Sequence, residues 1–393
     1  MSLTDTQPAR DSSRLLTYGA YASFVPIGIA TVLLGPLLPT LSAQWSLRYA
    51  QAGALFTVQY VASTCAVALS GVLASRRGFL FPIKAGLILM ALGLAFLSTG
   101  SEKLGIACIA LYGAGLGVAV PAANLMVAAA NPTRRSATLN LLNFFWSAGA
   151  VACPFLVSGA LAVNRIPLLL LSVAAFSLIV VAGIASFSSS TLRSGAISGN
   201  GPIMPLIRAN LLAFLTLGCL FFLYVGTENA FGGWVASYSK TLRGMSASFA
   251  VMTPSFFYAS LMVGRWIVPF LLHWITDVKI AQAGLLLAFL GSFSLILSHD
   301  SLGIVLSASA AGLGLSSVYP ITISLLSRQF ESARVGSVMF TLSNIGGGLL
   351  PWIVGLASDH FGAIKVGLVI PLLGCGLMFF LFISATPKPA PTG

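Results

Sequence analysis

Long apolar runs alternate with short polar gaps along nearly the whole chain. Bounded by charges or turn residues, the runs fall at 15–41, 49–74, 80–99, 104–130, 136–163, 166–188, 207–238, 247–273, 280–298, 302–327, 333–358 and 364–385. Each is long enough to cross a hydrocarbon core of about 30 Å as a helix rising about 1.5 Å per residue. The ten-residue alternation of a membrane β-barrel is absent. The pattern predicts an all-α polytopic membrane protein with twelve transmembrane helices. One long polar connection, 189–206, rich in Ser, Gly and Asn, separates the sixth run from the seventh. The expected organisation is a tail over 1–14, a six-helix bundle over 15–188, the linker 189–206, a second six-helix bundle over 207–385 and a tail over 386–393.

The halves repeat weakly. Gly115-Leu116-Gly117 recurs as Gly312-Leu313-Gly314, 197 residues on, and the same offset carries Gly149 to Gly346, Pro154 to Pro351 and Gly35 to Gly232. A shared offset across a central linker points to duplication. Two repeated six-helix halves enclosing a midplane site describe a secondary transporter.

Composition sharpens the class. Hydrophobic residues make up 57% of the chain and charged residues only 7%, against about 25% charged in a soluble domain. Mean hydropathy is +0.97. The net charge of +12 would suggest nucleic acid in a soluble chain. Here the basic residues are scattered one or two per gap and act as orientation signals. With the N-terminus inside, the inner segments hold thirteen: Arg10, Arg14, Arg76, Arg77, Lys84, Arg134, Arg135, Arg193, Arg208, Lys279, Arg328, Arg334 and Lys388. The outer segments hold six: Arg48, Lys103, Arg165, Lys240, Arg243 and Lys365. That asymmetry predicts a multi-pass protein of the cell (inner) membrane with both termini cytoplasmic. No cleavable signal peptide is expected, because the first apolar run is too long for a signal core. The five cysteines lie inside apolar segments at no metal-like spacing and read as packing residues. No H-E-x-x-H, G-x-S-x-G or P-loop occurs, and Ser237-Tyr238-Ser239-Lys240 matches S-x-x-K without its companion motifs. Nothing calls for an enzyme, a prosthetic cofactor, a metal or a nucleic-acid partner.

Candidate chemistry centres on the seventh run. Of the eight Asp and Glu, only Glu228 sits well inside an apolar segment. A carboxylate there marks a functional site by default. Two readings stand beside each other: a structural acid tied to Arg265 or to backbone donors, or a group that binds substrate hydroxyls or carries a coupling ion. Tyr224, Glu228 and Phe231 share a helix face by spacing. An aromatic ring beside a carboxylate suits a pyranose, and the amide of adjoining Asn229 can both donate and accept. Gly232-Gly233, one turn on, would weaken the helix and let a backbone approach closely. On the fifth helix Asn140, Asn143 and Ser147 line one side, with Trp146 a turn from Asn143. Such a stripe faces either the bundle interior or a helix–helix seam. Asn124, Gln59 and Asn344 are further candidates, Tyr258 and Tyr319 weaker ones. Arg265, inside the eighth helix, fits a structural or gating role better than substrate contact.

Gly71-Val72-Leu73-Ala74-Ser75-Arg76-Arg77-Gly78, between the second and third helices, resembles the G-x-L-A-D-R-x-G signature of the major facilitator superfamily. It departs at Ser75, where the family has the Asp of an inner-face charge latch; the resemblance assigns gating to Arg76 and Arg77. Within that superfamily the chain is similar to fucose-permease-like sugar transporters, including the sodium-dependent glucose transporter branch. Tyr224-Val225-Gly226-x-Glu228-x-x-x-Gly232-Gly233-Trp234, Pro121-Ala122-Ala123-Asn124 and Leu139–Trp146 carry the likeness. It implies the major facilitator fold and secondary active transport of a hexose-like monosaccharide by alternating access, with H⁺ or Na⁺ as coupling ion. The acids that fucose permeases use in their first and fourth helices have no counterpart here: the first helix has none, and Val120 precedes Pro121. Fucose itself and that proton route are therefore not implied. The partners expected are a small-molecule sugar and the lipid bilayer, with the protein a monomer. An exporter of amphipathic compounds, or a non-transporting receptor on the same fold, are the alternatives.

Overall fold

The computed structural model describes residues 7–97, 101–131, 135–185, 203–242, 244–330 and 333–384. They form α1 (Gln7–Val32), α2 (Leu34–Gln44), α3 (Tyr49–Arg77), α4 (Leu80–Leu97), α5 (Glu102–Ala130), α6 (Arg135–Ala162) and α7 (Ile166–Ala185). After most of the linker, which lies outside the described residues, come α8 (Ile203–Ala209), α9 (Leu211–Lys240), α10 (Ala247–Leu271), α11 (Asp277–Leu297), α12 (Ser301–Leu315), α13 (Val318–Gln329), α14 (Ala333–His360), α15 (Ile364–Gly367) and α16 (Val369–Ser384). Among the described residues there is no strand. Twelve membrane crossings result. The helices form two six-helix bundles, α1–α7 and α9–α16.

Three crossings that the apolar pattern reads as single helices are each split in two: α1/α2, α12/α13 and α15/α16. Pro36, Pro320 and Pro371 explain the breaks. A proline offers no N–H to the carbonyl four residues back and crowds it. Counting back four residues from each lands on Val32, Ser316 and Gly367, at the three interruptions. Pro26, Pro121, Pro154, Pro254, Pro269 and Pro351 lie within unbroken helices. The first helix also begins at Gln7, inside the segment that composition assigns to a tail.

Since successive crossings alternate in direction, the 185/203 ends of α7 and α8 define a linker end, and the opposite ends of the helices a far end. Side chains such as Ile179, Trp266, Trp274 and Phe380 are exposed on the outer surface, where lipid makes exposure cheap. Between helices the contacts run on glycine, as expected where close backbone approach replaces the hydrophobic effect. The repeat is visible in these contacts. Gly149 of α6 faces the Val25 carbonyl of α1, and Gly346 of α14 faces the Phe222 carbonyl of α9, 197 residues on in both partners. The pair Gly35 and Gly232 shows the repeat most directly, because the two touch each other. A Cβ on Gly35 would lie 2.7 Å from the Gly232 carbonyl oxygen and 2.9 Å from the Gly233 Cα. Repeat-related residues meet only near the axis relating the halves, so α2 and α9 lie beside that axis. The G-x-G pairs depart from the common offset. Gly115 packs on Gly86 of α4, whereas Gly312 packs on Phe257 of α10.

The bundles close on each other toward the far end. Thr57 donates to the Gly348 carbonyl (2.9 Å), Ser158 to the Ser248 carbonyl (2.7 Å) and Ser255 to the Val151 carbonyl (3.0 Å). Asp359 accepts from the Tyr49 and Ala50 amides at 2.9 and 2.8 Å. Gly53 faces the Pro351 carbonyl, which a Cβ there would meet at 2.9 Å, and Gly355 faces the Tyr49 carbonyl. These contacts place a seal between α3 and α14 and between α6 and α10, on the far side of Glu228.

Candidate substrate site between the two bundles

The site is built where α9 crosses the middle of the seam. Glu228 lies twelve residues from the far end of α9 and seventeen from its other end. It is 8% exposed. α9 runs through Gly232-Gly233 without interruption, so those glycines do not break the helix. They serve close approach instead, Gly232 toward the Tyr258 hydroxyl and Gly233 toward the Phe56 ring.

One turn below Glu228, Tyr224 is buried and stacks on Tyr319 of α13 with centroids 5.2 Å apart. Arg265 of α10 reaches both. Its Nη2 donates to the Tyr224 hydroxyl at 3.2 Å and lies 3.8 Å from Glu228 Oε1. The acid therefore has the cation that one of the two sequence readings named. Yet the pairing is incomplete: Glu228 Oε1, Arg265 Nε and Thr227 Oγ1 are buried with no hydrogen-bond partner. Buried polar atoms are normally satisfied, and each exception calls for an explanation. Here an acceptor and a donor stand unpaired within one ion pair, an arrangement that a hydroxyl-bearing molecule could satisfy.

The first bundle contributes the opposing wall. The Arg265 guanidinium lies over the Trp146 ring, 5.8 Å from its centroid, within cation–π range. Trp146 Nε1 donates to Thr31 Oγ1 at 3.3 Å. Gln59 is 2% exposed; it donates to the Thr31 carbonyl at 3.3 Å and accepts from the Tyr112 hydroxyl at 3.1 Å. Asn229 donates to the Val225 carbonyl at 2.8 Å and accepts from the Tyr60 hydroxyl at 2.8 Å, a bond between the bundles. Tyr60 in turn packs against Gly347, where a Cβ would meet its ring at 2.7 Å.

The other candidates are more scattered. Asn143 is exposed, and Asn124 half-buried; each donates to its own helix, to Leu139 and Val120. Asn344 is half-buried and makes no side-chain hydrogen bond among the described residues. Phe231 stacks on Phe257 at 4.8 Å inside the second bundle, so its ring is taken up by packing. Arg76 and Arg77 are exposed at the linker end of α3, with Arg77 4.5 Å over Phe81 and Ser75 bonded to the Val72 carbonyl. Sequence reasoning missed Tyr60 and Thr31. A signal existed for Tyr60: Gly53, Thr57, Tyr60 and Thr64 repeat at helical spacing as a small and polar stripe on α3.

Twelve crossing helices in two bundles, with an incompletely satisfied acid and base on the seam, make the build of a secondary transporter of small molecules rather than an enzyme. The chain belongs to the Major Facilitator Superfamily, which it matches over residues 20–351. It is 26% identical to a glucose/galactose transporter of Brucella abortus, over 88% of each chain. To the L-fucose–proton symporter of Escherichia coli it is 24% identical, over 96% of this chain and 94% of that one. To sodium-dependent glucose transporter 1A of Mus musculus it is 22% identical, over 88% and 90%. Its fold matches the crystal structure of the superfamily transporter FucP in the outward conformation with a TM-score of 0.66, at 22% identity over 96% of this chain and 100% of that one. It is thus a multi-pass membrane transporter similar to sugar symporters.

The Glu228–Arg265 pair generates a stability prediction. Removing one partner of a buried ion pair leaves the other uncompensated, at a cost of about 3–5 kcal/mol in a dry interior and less here, where Arg265 is 19% exposed. Arg265→Gln is expected to lower the melting temperature of the purified protein. Glu228→Gln in the same chain is expected to restore most of it. Equal melting temperatures for wild type and Arg265→Gln would show that the pair carries no such energy.

Proposed function

We propose that this protein is a secondary active transporter that moves a hexose-like monosaccharide by alternating access, coupled to H⁺ or Na⁺. The observation that carries the reading is the unpaired Glu228 Oε1 and Arg265 Nε buried beside Trp146 and Tyr224 on the seam. A pyranose offers both things the site lacks: hydroxyls that donate to a carboxylate and accept from a guanidinium, and an apolar face for an aromatic ring. The relatives, two glucose transporters and a fucose symporter, support the same class. In this reading the bundles 15–188 and 207–385 rock about the site as a monomer. The basic asymmetry puts the linker 189–206 and both termini on the cytoplasmic side of the cell membrane, so the far-end seal faces outward. Labelling of a cysteine at position 195 from outside intact cells would contradict that orientation. Substrate and coupling ion act by binding one facing state better than the other.

Uptake of labelled hexoses into proteoliposomes, with H⁺ and Na⁺ gradients imposed separately, tests the proposal. Gradient-driven accumulation of at least one hexose is expected. An exporter of amphipathic compounds would ignore the panel, and a receptor would bind without accumulating. Glu228→Gln assigns the acid's role. Loss of accumulation with sugar-for-sugar exchange retained marks it as the proton carrier. Loss of sodium stimulation alone marks a Na⁺ ligand. A joint fall of exchange and accumulation marks direct sugar contact. Wild-type accumulation and affinity in Glu228→Gln would remove the acid from the mechanism.

A further inference from the structure

We propose that Asp359 is the latch that holds the far end of the transporter shut, by binding the N-terminus of α3 across the seam. Asp359 sits at the end of α14, in the second bundle, and takes no part in the site described above. Its two carboxylate oxygens accept separately from the Tyr49 and Ala50 amides, at 2.9 and 2.8 Å. These are the first two amides of α3, which have no carbonyl partner within their own helix. The residue ahead of them, Arg48, cannot cap them, because its side chain carries only donors. Within the helix start, Gln51 Oε1 accepts from the Arg48 amide at 2.9 Å, which leaves the Tyr49 and Ala50 amides to be answered from the opposite bundle. The acceptor is negative and the helix start carries partial positive charge, so the bonds are charge-assisted.

The geometry makes the latch specific to one state. Gly355, one turn before Asp359, faces the Tyr49 carbonyl, and Gly53 faces the Pro351 carbonyl and the Trp352 Cα so closely that a Cβ there would meet both at 2.9 Å. The Tyr49 ring lies 6.1 Å from that of Trp234 on α9. Asp359 reaches the amides only because α3 and α14 touch at this level. When the far end separates, both sides of the bond pass to water. A contact made in one state and lost in the other shifts the balance between them by its net strength. Asp359 therefore sets how often the far end opens, whatever the cargo. The inference rests on the carrier reading of the fold but not on sugar as substrate, and its test uses no substrate.

The test is a spin-label distance measurement across the far end of the purified full chain, with the exposed Cys65 and Cys219 replaced by Ser. Labels go on Lys103 of α5 and Leu302 of α12, exposed positions at the far end of different bundles. Asp359→Ala is expected to raise the ratio of open to closed far end by about tenfold, the low end of the range for a lost hydrogen bond to a charged group because the position is half-buried. Asp359→Asn keeps one acceptor oxygen and is expected to fall between. Ala50→Pro removes one of the donors from the α3 side, at a first-turn position that tolerates proline. It is expected to open the far end too, and to add nothing when combined with Asp359→Ala. An unchanged distance distribution in Asp359→Asn and Ala50→Pro, or fully additive shifts in the double variant, would overturn the latch. Those two variants keep the test decisive if Asp359→Ala does not fold.

Discussion

The hydrocarbon core offers no water, so every polar group placed in it must be answered by the protein itself. The rest of the structure follows from that constraint. Backbone groups are answered within helices, which is why the crossings are helical and why the splits in α1/α2, α12/α13 and α15/α16 occur where proline withdraws a donor. Most polar side chains are answered locally. Thr31, Thr64, Asn124, Asn143, Ser147, Thr322 and Ser343 each donate to the carbonyl four residues back in their own helix. Against that background six buried side-chain atoms among the described residues lack a hydrogen-bond partner; Glu228 Oε1 and Arg265 Nε are the two on charged groups, and the functional reading is built on them.

The same constraint shapes the seam. In the proposed alternating-access cycle the two bundles separate and rejoin, so a broad polar network cannot weld them, since each separation would leave it unsatisfied. They meet instead through glycines, a few carbonyl acceptors, the Tyr60–Asn229 bond and the Arg265–Trp146 contact at the site, and one carboxylate at the rim, where water can take over. The superfamily signature at the linker end has lost its acid, with Ser75 bonded only to its own helix. The far end carries an acid, Asp359, already engaged. Among the described residues, an acid engaged across the seam is found at the far end and not at the linker end.

Much of the fold was legible. The apolar runs predicted twelve crossings, because a hydrocarbon-spanning helix must be long and uninterrupted by charge, and the 197-residue offset anticipated the Gly149/Gly346 contacts. The α1/α2, α12/α13 and α15/α16 splits were not read, since Pro26, Pro121 and Pro154 show that proline in these helices need not break them. The G-x-G pairs misled in detail: glycine marks a close approach but not which neighbour approaches. At the site, Glu228 was picked out by its position inside an apolar run, Tyr224 and Trp146 by helical spacing and Asn229 by adjacency; the structure sets Tyr224 and Trp146 against Arg265 and bonds Asn229 to Tyr60. Arg265 was read as structural or gating, and it lies within contact of three of the site's side chains. The reach of a long side chain cannot be judged from its distance to a helix end. Tyr60 and Thr31 escaped notice because their importance lies in contacts between helices far apart in sequence.

The central claim is that one hydroxyl-rich ligand is held by both bundles at once, on the Glu228–Arg265 pair and against Trp146. Calorimetric titration of the purified protein with the hexose panel tests it most directly. The account predicts saturable binding of one hexose per chain, weakened about tenfold or more by Glu228→Ala, as expected for losing a hydrogen bond to a charged group. It predicts a clear loss for Trp146→Ala as well, although that residue belongs to the other bundle. Hexose binding that neither substitution alters, in protein that remains folded, would contradict it.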